Sequence, residues 1–472
     1  MISSSELGAD PVLAALGRLP PVSTVDPLPE LVRSGRRRTA VVLDDDPTGT
    51  QTVRNVEILT EWPMEALCEQ LSSRVGMFFL LTNSRALPAD EAVELAERTG
   101  RELLEASRQT GRPVSLISRS DSTLRGHFPS EVDALARGFG RPDARIVLAP
   151  FFAPGGRITH GDRHYLRRSE RYIPVAETEF ASDPVFGYHS SDLRDFVREK
   201  AGAGRPVVSV ALSDLRTVGS SAVAAALYEL PPGGVCILNA VAERDIEVAA
   251  LGVHLVEDAG FPVVVRSAAS YVRARAGQIV HPLVTAIEGL RRGPGLVIVG
   301  SHVATTTGQL EHLFAEPPAP LERIELDVAD AIGPARTGLA AAIAQEASAA
   351  LSRGRIPVLA TSRRLYRGDD AAEDRAIAKA LSETLVGAVR GMIRTPSWVL
   401  VKGGITSADV ATKALGIRRA TVLGQLAAGV PIWRPANGSR WRVPYVVFPG
   451  NVGDTTTLTR VVATLIQAQK AL

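Results

Sequence analysis

The chain has 472 residues, 45% hydrophobic and 22% charged, which is ample core material and excludes a chain disordered throughout. With 53 Lys and Arg against 51 Asp and Glu, the formal charge is +2, so no global field points to nucleic acid or to an anionic membrane. Two cysteines, Cys68 and Cys236, are too few for a disulfide framework or a four-thiolate zinc site and fit a reduced, cytoplasmic setting.

The length exceeds what one core organises and predicts two domains of about 200 residues each. Residues 1–6 lack the positive flank and apolar core of a signal peptide, and no apolar run approaches the length of a membrane span. Residues 1–38, with Pro11, Pro20, Pro21, Pro27 and Pro29, read as an extension, and the arginines at 33 and 36–38 as a solvated lead-in to the first strand.

Apolar runs at 39–43, 77–81, 114–117, 145–149, 207–210, 235–238 and 263–265 read as buried strands. Helical stretches separate several of them, the clearest at 89–109. Strand–helix alternation of this kind predicts an α/β domain with a mostly parallel sheet over 39–266. Such sheets bind ligands at the carboxyl ends of their strands, so the residues following each run carry the functional argument.

After 39–43 come Asp44, Asp45, Asp46, Pro47, Thr48 and Gly49; a solvated turn is the competing reading, since these are ordinary turn residues. After 77–81 come Thr82, Asn83, Ser84 and Arg85. After 114–117 comes the run from Ser118 to His127, with Arg119, Asp121, Ser122 and Arg125. Forked arginine donors suit a carboxylate, while Asp121 and Ser122 suit hydroxyls, which together suggest a polyhydroxy acid. Residues 150–165 read as a glycine-bearing loop closing over a ligand. His160 and His164 have zinc-pair spacing, but Gly161 between them and the absence of an HExxH pattern argue against a metal there.

Residues 267–294 show no convincing strand, end in Arg291-Arg292-Gly293-Pro294, and read as a linker. A second α/β series occupies 295–472, with strands at 295–300, 356–360, 398–401 and 443–448 and alanine-rich helices at 337–352 and 371–394. Three of its strands lead into small-residue turns: Gly300-Ser301-His302, Lys402-Gly403-Gly404-Ile405-Thr406 and Pro449-Gly450-Asn451. Backbone N–H groups at such turns suit phosphate, and three in one domain point to a nucleotide. There is no GxxxxGK[ST] loop, protein-kinase motif set or G-x-S-x-G elbow.

Taken in order, these motifs resemble the four-carbon acid sugar kinase family, which includes 3-oxo-tetronate, D-threonate and D-erythronate kinases. Asp45-Asp46-Pro47-Thr48-Gly49 resembles its Asp-Asp-x-Thr-Gly, and Asp121-Ser122-Thr123-Leu124-Arg125-Gly126 its Asp-Ser-Thr-x-Arg-Gly. Gly156-Arg157-Ile158-Thr159 and the segment from Glu177 to Pro184 also look like family segments. The chain departs from the family at Asp44, Pro47 and Thr50, and at Arg119 where lysine is common.

The resemblance implies an N-terminal domain that binds the acid sugar, a C-terminal domain that binds ATP, and an active site in the cleft between them. It implies contacts to ATP from Ser301, Gly403, Gly404, Ile405, Thr406 and Gly450. The expected reaction is Mg2+-assisted transfer of the ATP γ-phosphoryl group to a hydroxyl of a small sugar acid. Asp46, or failing it Asp45, would accept the hydroxyl proton; Asp121 would hold a hydroxyl or a magnesium-bound water. Arg119, Arg125, Arg85, Arg157 and Ser122 would bind the acid. Competing readings are a kinase for a branched oxo sugar acid, a non-catalytic binding protein of the same ligands, and a lyase, for which no lysine strand or histidine cluster speaks. A homodimer is the default assembly.

Overall fold

The computed structural model describes residues 11–333, 336–363, 366 and 371–472. The chain forms two compact units, one running to Asp45 and from Trp62 to Val280, the other comprising Asp46–Glu61 and His281–Leu472. In chain order, β1 (Thr39–Asp44) belongs to the first unit and β2 (Val56–Leu59) to the second. The first unit continues with β3 (Met77–Leu81), β4 (Val114–Arg119), β5 (Arg145–Ala149), β6 (Arg157–His160), β7 (Arg163–Arg168), β8 (Arg171–Pro174), β9 (Val207–Val210), β10 (Val235–Leu238) and β11 (Val263–Ser267). The second unit holds β12 (Leu296–Val299), β13 (Leu321–Leu326), β14 (Ile356–Thr361), β15 (Val399–Lys402), β16 (Arg419–Ala427), β17 (Val430–Pro435) and β18 (Tyr445–Phe448).

In the first unit β3, β1, β4, β11, β5, β10 and β9 lie side by side in that order, all parallel. Helices cover both faces of such sheets, so strands such as Met77–Leu81 are buried at every position. Register then fixes where the polar segments emerge. Asp44 pairs with Leu81 on one side and Arg119 on the other, and Ser267 pairs with Arg119 and Ala149. One row across the sheet therefore delivers the segments after β1, β3, β4, β11 and β5 to a single edge.

The segment 150–165 is not the loop expected of it. After a short turn at Ala153–Gly155 it enters a three-stranded antiparallel meander, β6-β7-β8. The stretch 267–294 begins with the last residue of β11 and contains the helix Ala269–Arg275, all seven residues of which are buried. The extension also carries structure: in the helix Leu28–Arg37, Leu31 is buried, and Ser34 accepts a hydrogen bond from Arg275 at 2.8 Å.

In the second unit β13, β14, β12, β15 and β18 are parallel, while β17, β16 and β2 extend the sheet in antiparallel fashion. Both units are thus α/β, as expected. Register again aligns one row: Val299 pairs with Ala360 and Lys402, and Lys402 with Phe448. No helix among the described residues is long and apolar enough to cross a membrane.

Candidate functional site

At the edge of the first unit, arginines and acids interlock. Arg119, on β4, reaches Asp44 directly across the sheet at 3.2 Å, with Asp45 at 3.9 Å. Arg85 grips Asp45 through two nitrogens, at 2.5 and 3.2 Å, and Ser120 also donates to Asp45. Burial pushes the Asp45 carboxyl upward, but Arg85, and behind it Arg266 and Arg119, outweigh this and hold it below the usual carboxylate range. Arg125 donates to Asp121 at 2.7 Å, lies 3.5 Å from Asp183 and sits over the Phe180 ring at 4.8 Å. Asp121 is half-buried, and its carboxyl is held far down, chiefly by Arg125 against the upward push of desolvation. Two of the three acids expected to act catalytically are therefore tied up as counter-ions, and Arg119, Arg125 and Arg85 are already paired.

Arg157, on β6, is different. It donates to Gly155 O, makes no ion pair among the described residues, and leaves a buried Nε without a partner. Ser122 is buried, and its carbonyl accepts a hydrogen bond from His164 Nε2 at 2.8 Å. Burial pushes His164 down to about 4, so the ring is neutral, with Nδ1 accepting from Thr159 at 2.9 Å. The histidine that could have suggested zinc is a strut beneath the Ser122 turn.

Glu131 was not singled out from the sequence. It is buried in the first turn of the helix Ser130–Gly138 and accepts from Ser84 Oγ at 2.6 Å. Burial, reinforced by the Asp45 charge, raises its pKa from 4.5 to about 7. Because the folded value is the higher one, the protonated acid favours folding below pH 4.5, and that contribution is lost as pH rises through 7. Glu131→Gln is therefore expected to lose less stability than wild type between pH 5 and 8, by up to about 3 kcal/mol in urea unfolding. Parallel curves for the two proteins would rule this out.

In the second unit the row ending in Val299, Lys402 and Phe448 brings three turns into contact. A Cβ on Gly450 would stand 2.5 Å from Ser301 Oγ, and one on Gly403 would stand 3.4 Å from Ser301 N. Thr306, in the helix Ala304–Ala315, donates to Gly450 O at 2.8 Å and lies 3.1 Å from Ser301 Oγ. Gln309 donates to Val452 O and Asp454 O at 3.0 and 2.7 Å, and Arg363 to Ser301 O at 2.8 Å. Ile405 is exposed beside Gly404, and Thr406 is half-buried.

Asp46 lies in this unit. Its Oδ1 caps the turn Pro47–Thr52 by accepting from Thr48 N at 2.8 Å, and its Oδ2 would be 2.9 Å from a Cβ on Gly404. Glycine at 404 is what lets the carboxylate approach the first turn of the helix Gly404–Asp409. Lys402, at the end of β15, leads into the Gly403 turn. It is fully buried, donates to Pro449 O at 2.9 Å and stands 3.8 Å from the Phe448 ring centroid. Burial alone pushes its ammonium down to about 7. Among the described residues no three His, Cys, Asp or Glu side chains cluster as a metal cage.

Residues 40–275 match the family model of a sugar-binding N-terminal domain, and residues 296–458 that of a nucleotide-binding C-terminal domain. A D-threonate kinase of Salmonella typhimurium is 28% identical over 442 residues, spanning 89% of this chain and 96% of its own. A D-erythronate kinase of Heliobacterium modesticaldum is 28% identical over 286 residues, 57% of this chain and 59% of its own. Two solved structures share the fold. One, from Haemophilus influenzae, has a TM-score of 0.62 at 19% identity, covering 90% of this chain and all of the other. The second, from Salmonella typhimurium LT2, has a TM-score of 0.65 at 20% identity, covering 92% and 99%.

Proposed function

Because the chain belongs to the four-carbon acid sugar kinase family and is a phosphotransferase, we propose that it transfers the γ-phosphoryl group of ATP to a hydroxyl of a threonate-, erythronate- or 3-oxo-tetronate-like acid. The observation that carries the reading is the charge-rich edge of the first unit. Five arginines, Arg85, Arg119, Arg125, Arg157 and Arg266, stand there with four aspartates, Asp44, Asp45, Asp121 and Asp183. The forked guanidinium donors suit a carboxylate, and the aspartates suit hydroxyls.

The turns of Ser301, Gly403 to Thr406 and Gly450 are the proposed ATP contacts, offering small residues and backbone donors to phosphate. Mg2+ commonly uses one or two carboxylates and leaves the rest of its shell to phosphate and water, which fits the absence of a carboxylate cage among the described residues. Asp46, at the Gly404 turn, is the carboxylate suited to receiving the hydroxyl proton. When bound, Mg2+ neutralises phosphate charge. The protein's share is alignment and water exclusion, with Arg157 and Arg125 orienting the acid.

The test is ADP release from Mg-ATP with D-threonate, D-erythronate, L-threonate, 3-oxo-tetronates and branched sugar acids in turn. Turnover with a four-carbon acid, and none without acid, is the expected result. Silence across the panel from protein that binds ATP would remove the kinase reading in favour of a non-catalytic one.

A further inference from the structure

The end of β11 holds Arg266, named above only among the arginines of the edge, and Ser267, which the reading above leaves without a task. Arg266 is buried, and its guanidinium donates from Nη2 to Arg125 O at 2.9 Å. Unlike Arg85, Arg119 and Arg125, it makes no ion pair among the described residues. Burial accordingly lowers its pKa, with Asp45, Glu131 and Asp121 offsetting this from further away. Ser267 is 3% exposed, and its Oγ has no hydrogen-bond partner among the described residues. Buried hydroxyls without partners are uncommon and call for an explanation.

Both residues line a small cavity with Asp121, whose hydrogen bonds from Thr123 and Arg125 both fall on Oδ2. The rest of the wall is apolar and includes Leu124, Phe128 and Phe196. The free space is about 10 Å3, room for one water-sized group.

We propose that Arg266, Ser267 and Asp121 form a receptor for one hydroxyl group of the acid substrate, and so decide which hydroxylated acids the protein accepts; the proposal rests on the kinase reading. The donor and acceptor count selects the group. Arg266 offers only donors, the ionised Asp121 only acceptors, and Ser267 either. A hydroxyl accepts from the guanidinium and donates to the carboxylate, leaving nothing unpaired. A carboxylate would face Asp121 with like charge, an ammonium would face Arg266, and a methyl group would leave Ser267 Oγ unsatisfied and add nothing to the bonds that Arg266 and Asp121 already make. Without substrate, one water fills the same role.

Sites that hydrogen-bond a substrate hydroxyl reject the analogue lacking it strongly, because their own polar groups are then stranded. The experiment compares kcat/KM of the preferred acid with its deoxy derivatives, each lacking one hydroxyl, in wild type, Ser267→Ala and Arg266→Gln. In wild type, one deoxy position should lose about 100-fold or more. In both variants that position's penalty should shrink to a few-fold while the penalties at other positions stay. Unchanged penalties at every position, with a cavity holding water only, would overturn the proposal. ATP affinity and thermal unfolding of the variants separate a local effect from misfolding, and Ser267→Ala decides the matter should Arg266→Gln not fold. If wild type turns over no acid, the kinase reading fails by itself. Calorimetric binding of the acids and their deoxy forms to wild type and Ser267→Ala then still decides the pocket, by the same shrinking penalty.

Discussion

Asp46→Asn is expected to lower turnover by about 10²–10⁴-fold, the range typical of losing a positioned proton acceptor, with little change in ATP affinity. Asparagine keeps the side-chain shape and can still accept from Thr48 N, so the turn Pro47–Thr52 retains its cap. It also preserves the fit against Gly404, since only the charge is removed. Asp45 is a poor substitute as a base, because Arg85, Arg119 and Ser120 already hold it as an anion. Steady-state kinetics together with ATP calorimetry check the prediction. Turnover within threefold of wild type would take Asp46 out of the proton path and leave it a capping role.

Gly126→Ala is expected to abolish binding of the sugar acid while leaving the second unit's nucleotide affinity intact. Gly126 has φ +121°, a conformation that L-residues rarely adopt. A Cβ there would stand 2.6 Å from Ser120 Oγ, 2.9 Å from Arg266 Nη2 and 3.2 Å from Asp45 Oδ2. The methyl group would thus separate Ser120 from Asp45 and push Arg266 off the Arg125 carbonyl, disturbing several polar contacts of the site at once. Gly111→Ala is the control. Its φ is +64° with nothing within 4 Å of the added carbon, so about 1 kcal/mol of stability is the expected cost and acid binding should stay normal. Equal acid affinity for Gly126→Ala and wild type would contradict the account.

What was legible in the sequence followed from burial. Strands covered on both faces read as continuous apolar runs, and β3, Met-Phe-Phe-Leu-Leu, was identified to the residue. Strands with one polar side were passed over. In β16 the buried positions alternate with half-buried ones through Ala420, Val422, Gly424 and Leu426, a period of two that a search for unbroken apolar runs misses. The arginine-rich meander β6-β7-β8 lacks such runs as well, and its glycines suggested a loop.

The site divides along the same line. The residue types at the strand ends were visible, but their pairings were not. Arg119 meets Asp44 because β1 and β4 are adjacent and in that register, which no local pattern encodes. Arg266 and Ser267 escaped notice for a related reason: β11 runs two residues past its apolar core, into what read as the start of a linker.

The placement of β2 in the second unit bears on how the chain is made. This strand pairs with β16, and the Glu57–Arg419 contact at 2.6 Å joins residues 362 positions apart. Trp433 likewise donates to Thr50 at 2.9 Å. At roughly 5–20 residues per second, a ribosome takes roughly 20–70 s to supply the partner after β2 has emerged. Throughout that interval β2 has no antiparallel neighbour, and the second unit cannot finish folding from its own contiguous stretch. A fragment starting at His281 meets the same problem permanently, since the β16 edge then stays open to pairing with other chains.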